Sequence, residues 1–470
     1  MATITIDPVT RIEGHLKISV TTDSNNRVTE AFSTGNLYRG FENLLQGRPP
    51  RDASFITQRI CGVCPVPHGV VSAQAVESAA AYQPTMQALR LRNLMQGANF
   101  LGSHILHFYH LAAMDFVKGP AMNPWAPGYE ADYRLSSAQN QAVLDNYALA
   151  LSIRRKAQEM RAIIGGMYTH VGNVLPGGVM AKLSSEQIAD FQSYLWEIKS
   201  FIKNVWAGDL ELLASVYDDY FTIGRGYGNM LCFGAFDIDS NGQKLFPSGV
   251  YTNGMTAAFN PANITEDVGF SWYSSGSGLN PANGSTNPAF GKSNAYSWLK
   301  APRYNGLAYE AGPLARLFVS GEYREGVSVM DRHKARWIES VTISENMETW
   351  LNQLNSSESS YTPVNPVSGT GAGFTEAPRG ALGHWVSVSN SQINRYQIIT
   401  PTCWNASPKD DNGNPGPIEQ AILGTQISKP EQPVEILRII HSFDPCTACA
   451  VHVISPKGKE LSQFMVHPGL

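Results

Sequence analysis

A chain of 470 residues with 43% hydrophobic residues can bury a large core. Only 16% of its residues are charged, against about 25% in an average soluble domain, so much of its surface is expected to be covered by another subunit. A net charge of −4 and a pI near 6.3 exclude the basic footprint of a nucleic-acid binder. No apolar run of about 18 residues marks a transmembrane helix. The start, MATITIDPVTRIEGHLKISV, lacks the basic and apolar regions of a signal peptide. The chain is therefore expected either to stay in the cytoplasm or to be exported while attached to a partner that carries the signal.

In chain order, residues 1–34 alternate apolar and polar positions around the turn-like DSNN and predict a β-hairpin. From Pro84 to Val117, apolar positions recur at helical spacing without an internal proline, which predicts one long buried helix. A second helix is predicted over about 137–165. A third starts at Ser184, whose SSEQ has the capping-box pattern, and runs to about Phe221. The stretch at about 235–300, rich in Gly, Asn, Ser and Pro but punctuated by aromatics, reads as loops and short strands rather than as a free linker. A fourth helix is predicted over about 325–355, and HWVSVSNSQINRYQII near the end predicts another hairpin. Four long helices suggest a bundle. The expected fold is mainly α with smaller β parts, a multidomain α+β arrangement of a central bundle and peripheral hairpins and loops. Its expected parts are an N-terminal β region to residue 83, the bundle to 357, and a C-terminal region to 452. No internal repeat is visible.

Six cysteines occur, and four of them form two Cys-x-x-Cys pairs, Cys61/Cys64 in RICGVCPVPHG and Cys446/Cys449 in DPCTACAVH. Each pair puts two soft ligands on one short turn, and four thiolates suit zinc or iron–sulfur chemistry by softness and geometry. A structural zinc site is the plain alternative. In zinc ribbons, however, the two pairs usually lie within about 15–20 residues of each other, whereas these stand at opposite ends of a chain large enough to need no staple. His104, His107 and Asp115 recur on one helix face, about three turns in all. They read better as buried helix residues bonded to neighbours than as a second metal site. Glu13, two residues from Arg11 on an extended segment, by itself reads as half of a surface ion pair.

The segments DPVTRIEGH, RGFE, APRY, GPLAR, EAPRGALGHW and PTCWNASPKD, with both cysteine signatures in this order, resemble the large subunit of the nickel–iron hydrogenases over nearly the whole chain, Asp7 to His452. SHILHFYHLAAMDFVKGP is similar to the selenium-containing branch, but Cys446 stands where that branch has selenocysteine. The resemblance implies reversible heterolytic cleavage of dihydrogen at a thiolate-bridged Ni–Fe centre, with carbon monoxide and cyanide on iron. It implies nickel bound by Cys61, Cys64, Cys446 and Cys449, with Cys64 and Cys449 bridging to iron, and Cys446 as a base. It further implies Glu13 as proton relay and Arg379 as a catalytic guanidinium. Pro378, Thr402, Asp444 and His68 would surround the centre. Glu42, the Ile398 carbonyl and His452 would hold a magnesium or iron ion.

Two departures stand out. Ser103 occupies a position where many members have Asp supporting the arginine, and Cys403 one where Thr is usual; Cys403 reads as a small buried filler. The implied partners are an iron–sulfur small subunit, since too few cysteines remain here for clusters, a maturation endopeptidase and nickel-insertion proteins. The resemblance also implies cleavage after His452, making 453–470 a maturation peptide, and a periplasmic or cell-envelope location by co-export, with the cytoplasm as alternative. The non-catalytic alternative is a structural homologue like the related subunit of respiratory complex I, which lacks the cysteine pairs.

Overall fold

The computed structural model describes residues 2–122, 125, 128, 130–274 and 276–447. Cys449, His452 and the segment 453–470 lie outside the described residues.

The N-terminal hairpin forms and gains a strand. β1 (Ala2–Ile6), β2 (Leu16–Thr22) and β3 (Val28–Gly35) make an antiparallel sheet in that order. Along β2, Leu16, Ile18, Val20 and Thr22 point into the core while the intervening residues are half-buried, the period-2 alternation of a one-sided sheet. The turn closes because Asp23 Oδ1 accepts from the amides of Asn25 (2.8 Å) and Arg27 (3.0 Å), and Asn26 takes the left-handed conformation that asparagine tolerates.

Helices follow: α1 (Pro65–Ala79), α2 (Met86–Ile105), α3 (Ser137–Gly165), α4 (Ser185–Phe201), α5 (Ala207–Val216), α6 (Pro313–Ser320) and α7 (Val329–Asn352). The start of α4 carries the expected reciprocal cap between Ser184 and Gln187, and α3 and α7 begin with the same device. α2 packs against α3 and α7, and α4 packs against the same two, so the four predicted helices form the bundle.

Two of the predicted helices are not uniform. The long helix from residue 84 is α-helical only to Ile105. It widens to a π-helix over Leu106–Ala112 and ends in a 3-10 turn at Ala113–Asp115. One inserted residue leaves the apolar spacing nearly intact, so periodicity does not reveal it. The Leu111 carbonyl in this segment accepts from Arg11 Nη1 at 2.7 Å. The helix from Ser184 likewise passes through a π segment, Ile202–Trp206, before continuing as α5.

The C-terminal hairpin also gains a strand. β4 (Gly369–Ala377), β5 (Gly380–Ser389) and β6 (Gln392–Ile399) form an antiparallel sheet, and α8 (Val434–Ser442) closes the described chain. Between α5 and α6 lie short two- and three-stranded pieces, such as Ile264–Asp267 paired with Ala301–Tyr304. No helix among the described residues is long and apolar enough to cross a membrane.

α1 lies unusually close to β4. A Cβ on Gly373 would sit 2.3 Å from the Val71 carbonyl oxygen, and one on Gly371 would sit 2.4 Å from that of Ala75. GTGAG therefore lets a helix backbone rest directly on a strand, and that helix begins at Cys64. Gly373→Ala is expected to push α1 off the sheet and destabilise the protein by about 2 kcal/mol or more, read as a lowered denaturation midpoint. An unchanged midpoint would mean that the close approach is not required.

Candidate metal centre

The first cysteine turn is shaped from both sides. Cys64 is the N-cap of α1, with Pro65 at the first helical position. The helix end favours negative charge on its thiol. Cys61 Sγ accepts from the amides of Val63 and Cys64, both at 3.3 Å. The Ile60 carbonyl just before it accepts from Arg39 at 2.8 Å.

The second turn reaches this place through backbone bonds. After α8, Asp444 takes a left-handed conformation, φ 55°, which turns the chain inward. Cys446 forms a parallel bridge with Glu13, and the Thr447 amide donates to the Glu13 carbonyl at 2.7 Å. The Cys446 amide donates to Thr402 Oγ1 at 2.9 Å. As a result the Sγ atoms of Cys61 and Cys446 stand 3.4 Å apart. Those of Cys61, Cys64 and Cys446 all lie within 4.8 Å of one another, fully buried.

The polar atoms around the thiols support an inserted group. Arg379 is 2% exposed, and its Nε lies 3.1 Å from Asp444 Oδ1, yet none of its three nitrogens has hydrogen-bond geometry to a described acceptor. Burial disfavours its charge, but Asp444 and the three thiols more than offset that and hold its pKa well above the ordinary value. Burial pushes the Asp444 carboxyl up, against the opposing pull of Arg379 and Arg336. His68, one turn beyond Cys64, is fully buried, and neither ring nitrogen has a partner among the described residues. Buried donors and acceptors are rarely left unmet. Three converging soft thiols edged by unmet polar groups fit a metal with polar ligands of its own.

Arg379 is positioned by a residue that sequence reasoning quoted only as part of GPLAR. Arg316 on α6 pairs with both oxygens of Glu339 (2.8 and 3.0 Å) and with Glu376 (2.6 Å). It also donates to the carbonyls of Ala377 (3.2 Å) and Pro378 (2.9 Å). It thus fixes the turn that carries Pro378 and Arg379. Glu339 also meets His104 Nε2 at 3.2 Å. His107 Nε2 donates to the His441 carbonyl at 2.6 Å. Asp115 pairs with Arg11, and with His441 Nδ1 at 2.6 Å. These three helix residues are bonded to neighbours as expected, and Arg11 turns to Asp115, leaving the surface pair with Glu13 unmade.

Glu42 and Ile398 line one small cavity of about 40 Å³ with Glu266, Lys300 and Cys403. Lys300 Nζ meets Glu266 at 3.0 Å and Gln397 Oε1 at 3.3 Å. Burial raises the Glu42 pKa, Lys300 opposes this and Glu266 adds to it. Two carboxylates and a backbone strand at one polar cavity are a donor set for a hard cation. Cys403 lies beside the Thr400 hydroxyl at 3.3 Å, and burial pushes its thiol up to about 11, which suits a neutral filler. Glu266 and Lys300 were not singled out from sequence, although Lys300 directly precedes APRY.

A helix bundle whose two chain ends close over one buried cluster of thiols defines a metalloprotein with a soft-donor centre. The family described as nickel-dependent hydrogenase matches residues 39–122 and 116–452, and HoxL-like matches residues 3–34. The periplasmic [NiFeSe] hydrogenase large subunit of Desulfomicrobium baculatum is 38% identical over 96% of this chain and 95% of its own. The hydrogenase-2 large chain of Escherichia coli K12 is 31% identical over 98% of this chain and 99% of its own. The solved Ni-Fe-Se hydrogenase from D. vulgaris Hildenborough superposes with a TM-score of 0.93 at 41% identity, covering 96% of this chain and 100% of that chain. The chain belongs to the nickel-dependent hydrogenase family, as a large subunit.

Cys61→Ser is expected to abolish nickel retention while the bundle stays folded, measured as nickel per chain beside far-UV circular dichroism. Full nickel content in the variant would remove Cys61 from the ligand set.

Proposed function

We propose that this chain is the catalytic large subunit of a nickel–iron hydrogenase, which splits dihydrogen heterolytically and reversibly and passes electrons to an iron–sulfur small subunit. The observation that carries the reading is the meeting of Cys61, Cys64 and Cys446 in one buried cluster beside an unsatisfied Arg379. With Cys449 as fourth ligand, the four thiolates would hold nickel, and Cys64 and Cys449 would also hold an iron with carbon monoxide and cyanide ligands. Such a metal pair supplies the Lewis acidity and electron-accepting capacity that dihydrogen cleavage needs.

The chain's own residues do the rest. Cys446 Sγ takes the proton, as a thiolate whose proton affinity is lowered by adjacent metal charge. Glu13, held beside Cys446 by the backbone bridge, receives that proton and hands it outward. Arg379 presents its planar donors toward the three thiols, oriented by Asp444 and by the turn at Pro378. Thr402, whose oxygen accepts from the Cys446 amide, keeps its hydroxyl hydrogen and would donate it to a cyanide. His68 supports the Cys64 side. Glu42, the Ile398 carbonyl and His452 would hold a magnesium or iron ion.

The family match ends at residue 452, which supports reading 453–470 as a maturation peptide removed after His452 by an endopeptidase once nickel-insertion proteins have acted. The Desulfomicrobium relative is named periplasmic, and the same location, reached by co-export with the small subunit, is proposed here. The parts to residue 83, to 357 and to 452 are proposed as regions of one large unit.

Glu13→Gln should keep nickel and the infrared bands of the iron ligands but slow exchange between deuterium gas and water protons by about a hundredfold. Unchanged exchange would return Glu13 to a structural role. Arg379→Lys replaces a planar fork with a point charge and should cut hydrogen oxidation by about a hundredfold or more in a folded, metal-loaded protein. A mild effect in that assay would make Arg379 structural.

A further inference from the structure

A second polar cavity, of about 400 Å³, lies on the outer side of the first cysteine turn. Gly62 and Val63 of that turn form one wall, Asn99 and Ser103 on α2 another, and Arg154 and Arg161 on α3 a third. Arg161 is only 6% exposed, and its Nε and Nη1 are buried without any acceptor. Ser103 Oγ and Asn99 Oδ1 are also buried and unmet. No carboxylate lines the cavity, and neither arginine forms an ion pair among the described residues. Burial, with the Arg154 charge adding to it, lowers the Arg161 pKa to about 10, against the opposing pull of Tyr168 and the Cys64 thiol. Two guanidinium groups held together with no carboxylate beside them are costly unless something compensates them. Tyr168, which lines the cavity, and its chain neighbour Met167 are 54% and 55% exposed. Tyr and Met around buried Arg is the composition of a protein interface, where such residues are enriched.

We infer that this cavity receives an acidic side chain of the partner subunit, whose carboxylate Arg161 and Arg154 clamp directly outside the Cys61–Cys64 turn. The inference rests on the two-subunit reading above. Charge complementarity commits the occupant to an Asp or Glu, and the Met167/Tyr168 rim commits its source to a protein surface rather than to a free anion. The contact would fix the register of the electron-accepting subunit against the side of the centre that Cys64 occupies. Ser103 gains a role here. A hydroxyl can donate to an incoming carboxylate, whereas an Asp at that position would repel it.

The test is assembly of the metal-loaded chain with its iron–sulfur subunit, followed by titration of the separated subunits. Arg161→Gln and Arg154→Glu should each weaken the heterodimer by at least about tenfold, as for a buried charge left unpaired at an interface, and Arg161→Lys should recover part of the loss. Arg154 is only half-buried, so its variant decides the matter if Arg161→Gln fails to fold. Wild-type affinity in Arg154→Glu would overturn the assignment. So would inorganic phosphate binding to the assembled wild-type heterodimer that disappears in Arg154→Glu, because the cavity would then hold a free anion. A wild-type chain that binds no small subunit would sink the two-subunit reading and this inference with it.

Discussion

The structure depends on one junction, the meeting of residue 13 with residues 446 and 447. Cys61 and Cys446 are separated by 385 positions, and closing so long a loop costs on the order of 5 kcal/mol in chain entropy. No single bond offsets that. The bonds from Thr447 to Glu13 and from Cys446 to Thr402 fix the last few ångströms. A larger frame of buried charge brings the segments near. Asp115 collects Arg11 from the N-terminal loop and His441 from α8. Arg438 on α8 donates to the Asp115 carbonyl at 2.8 and 3.1 Å. Arginine and histidine hold the Asp115 carboxyl below the usual range although burial pulls the other way. The π segment of the long helix brings the chain to Asp115, so a local irregularity in one helix is tied to the approach of both chain ends.

A second frame, built on Arg316, does for Arg379 what the first does for the thiols. Three charged groups, Arg316, Glu339 and Glu376, are wholly buried together. Buried ion pairs seldom add net stability over apolar packing. Their value here is positional, since the same guanidinium that neutralises two carboxylates grips the Ala377 and Pro378 carbonyls. α1 contributes by resting on the glycines of β4, which sets Cys64 against the sheet from whose turn Arg379 projects. Two rigid frames thus converge on one small volume, the preorganisation that a centre needs if its donors are not to reorganise during turnover.

Much of this was legible in the sequence, for identifiable reasons. Amphipathic spacing found the four bundle helices, because burying one face of a long helix imposes a period that composition cannot hide. The capping pattern placed the start of α4 correctly. The hairpins were visible by alternation, but β1 and β4 were not, and the GTGAG of β4 reads as loop until α1 is seen lying on it. α1 itself, with two prolines and a glycine in its first turns, carries little periodic signal. The paired cysteines announced a thiolate centre. Arg316, Glu339 and Glu376 did not announce themselves, because a buried charge network is defined by partners far apart in the chain: Arg316 and Glu376 are 60 positions apart. Family resemblance pointed to Arg379 and Asp444, and it could not show that the guanidinium would stand so incompletely satisfied.

In the function proposed above, thiols from both cysteine pairs surround a single nickel next to iron. X-ray absorption at the nickel edge of the wild-type protein reads that shell. The expected result is a first shell made of sulfur, with four thiolates and a neighbouring iron scatterer. A shell dominated by nitrogen or oxygen, or a sulfur shell with no iron beside it, would contradict it.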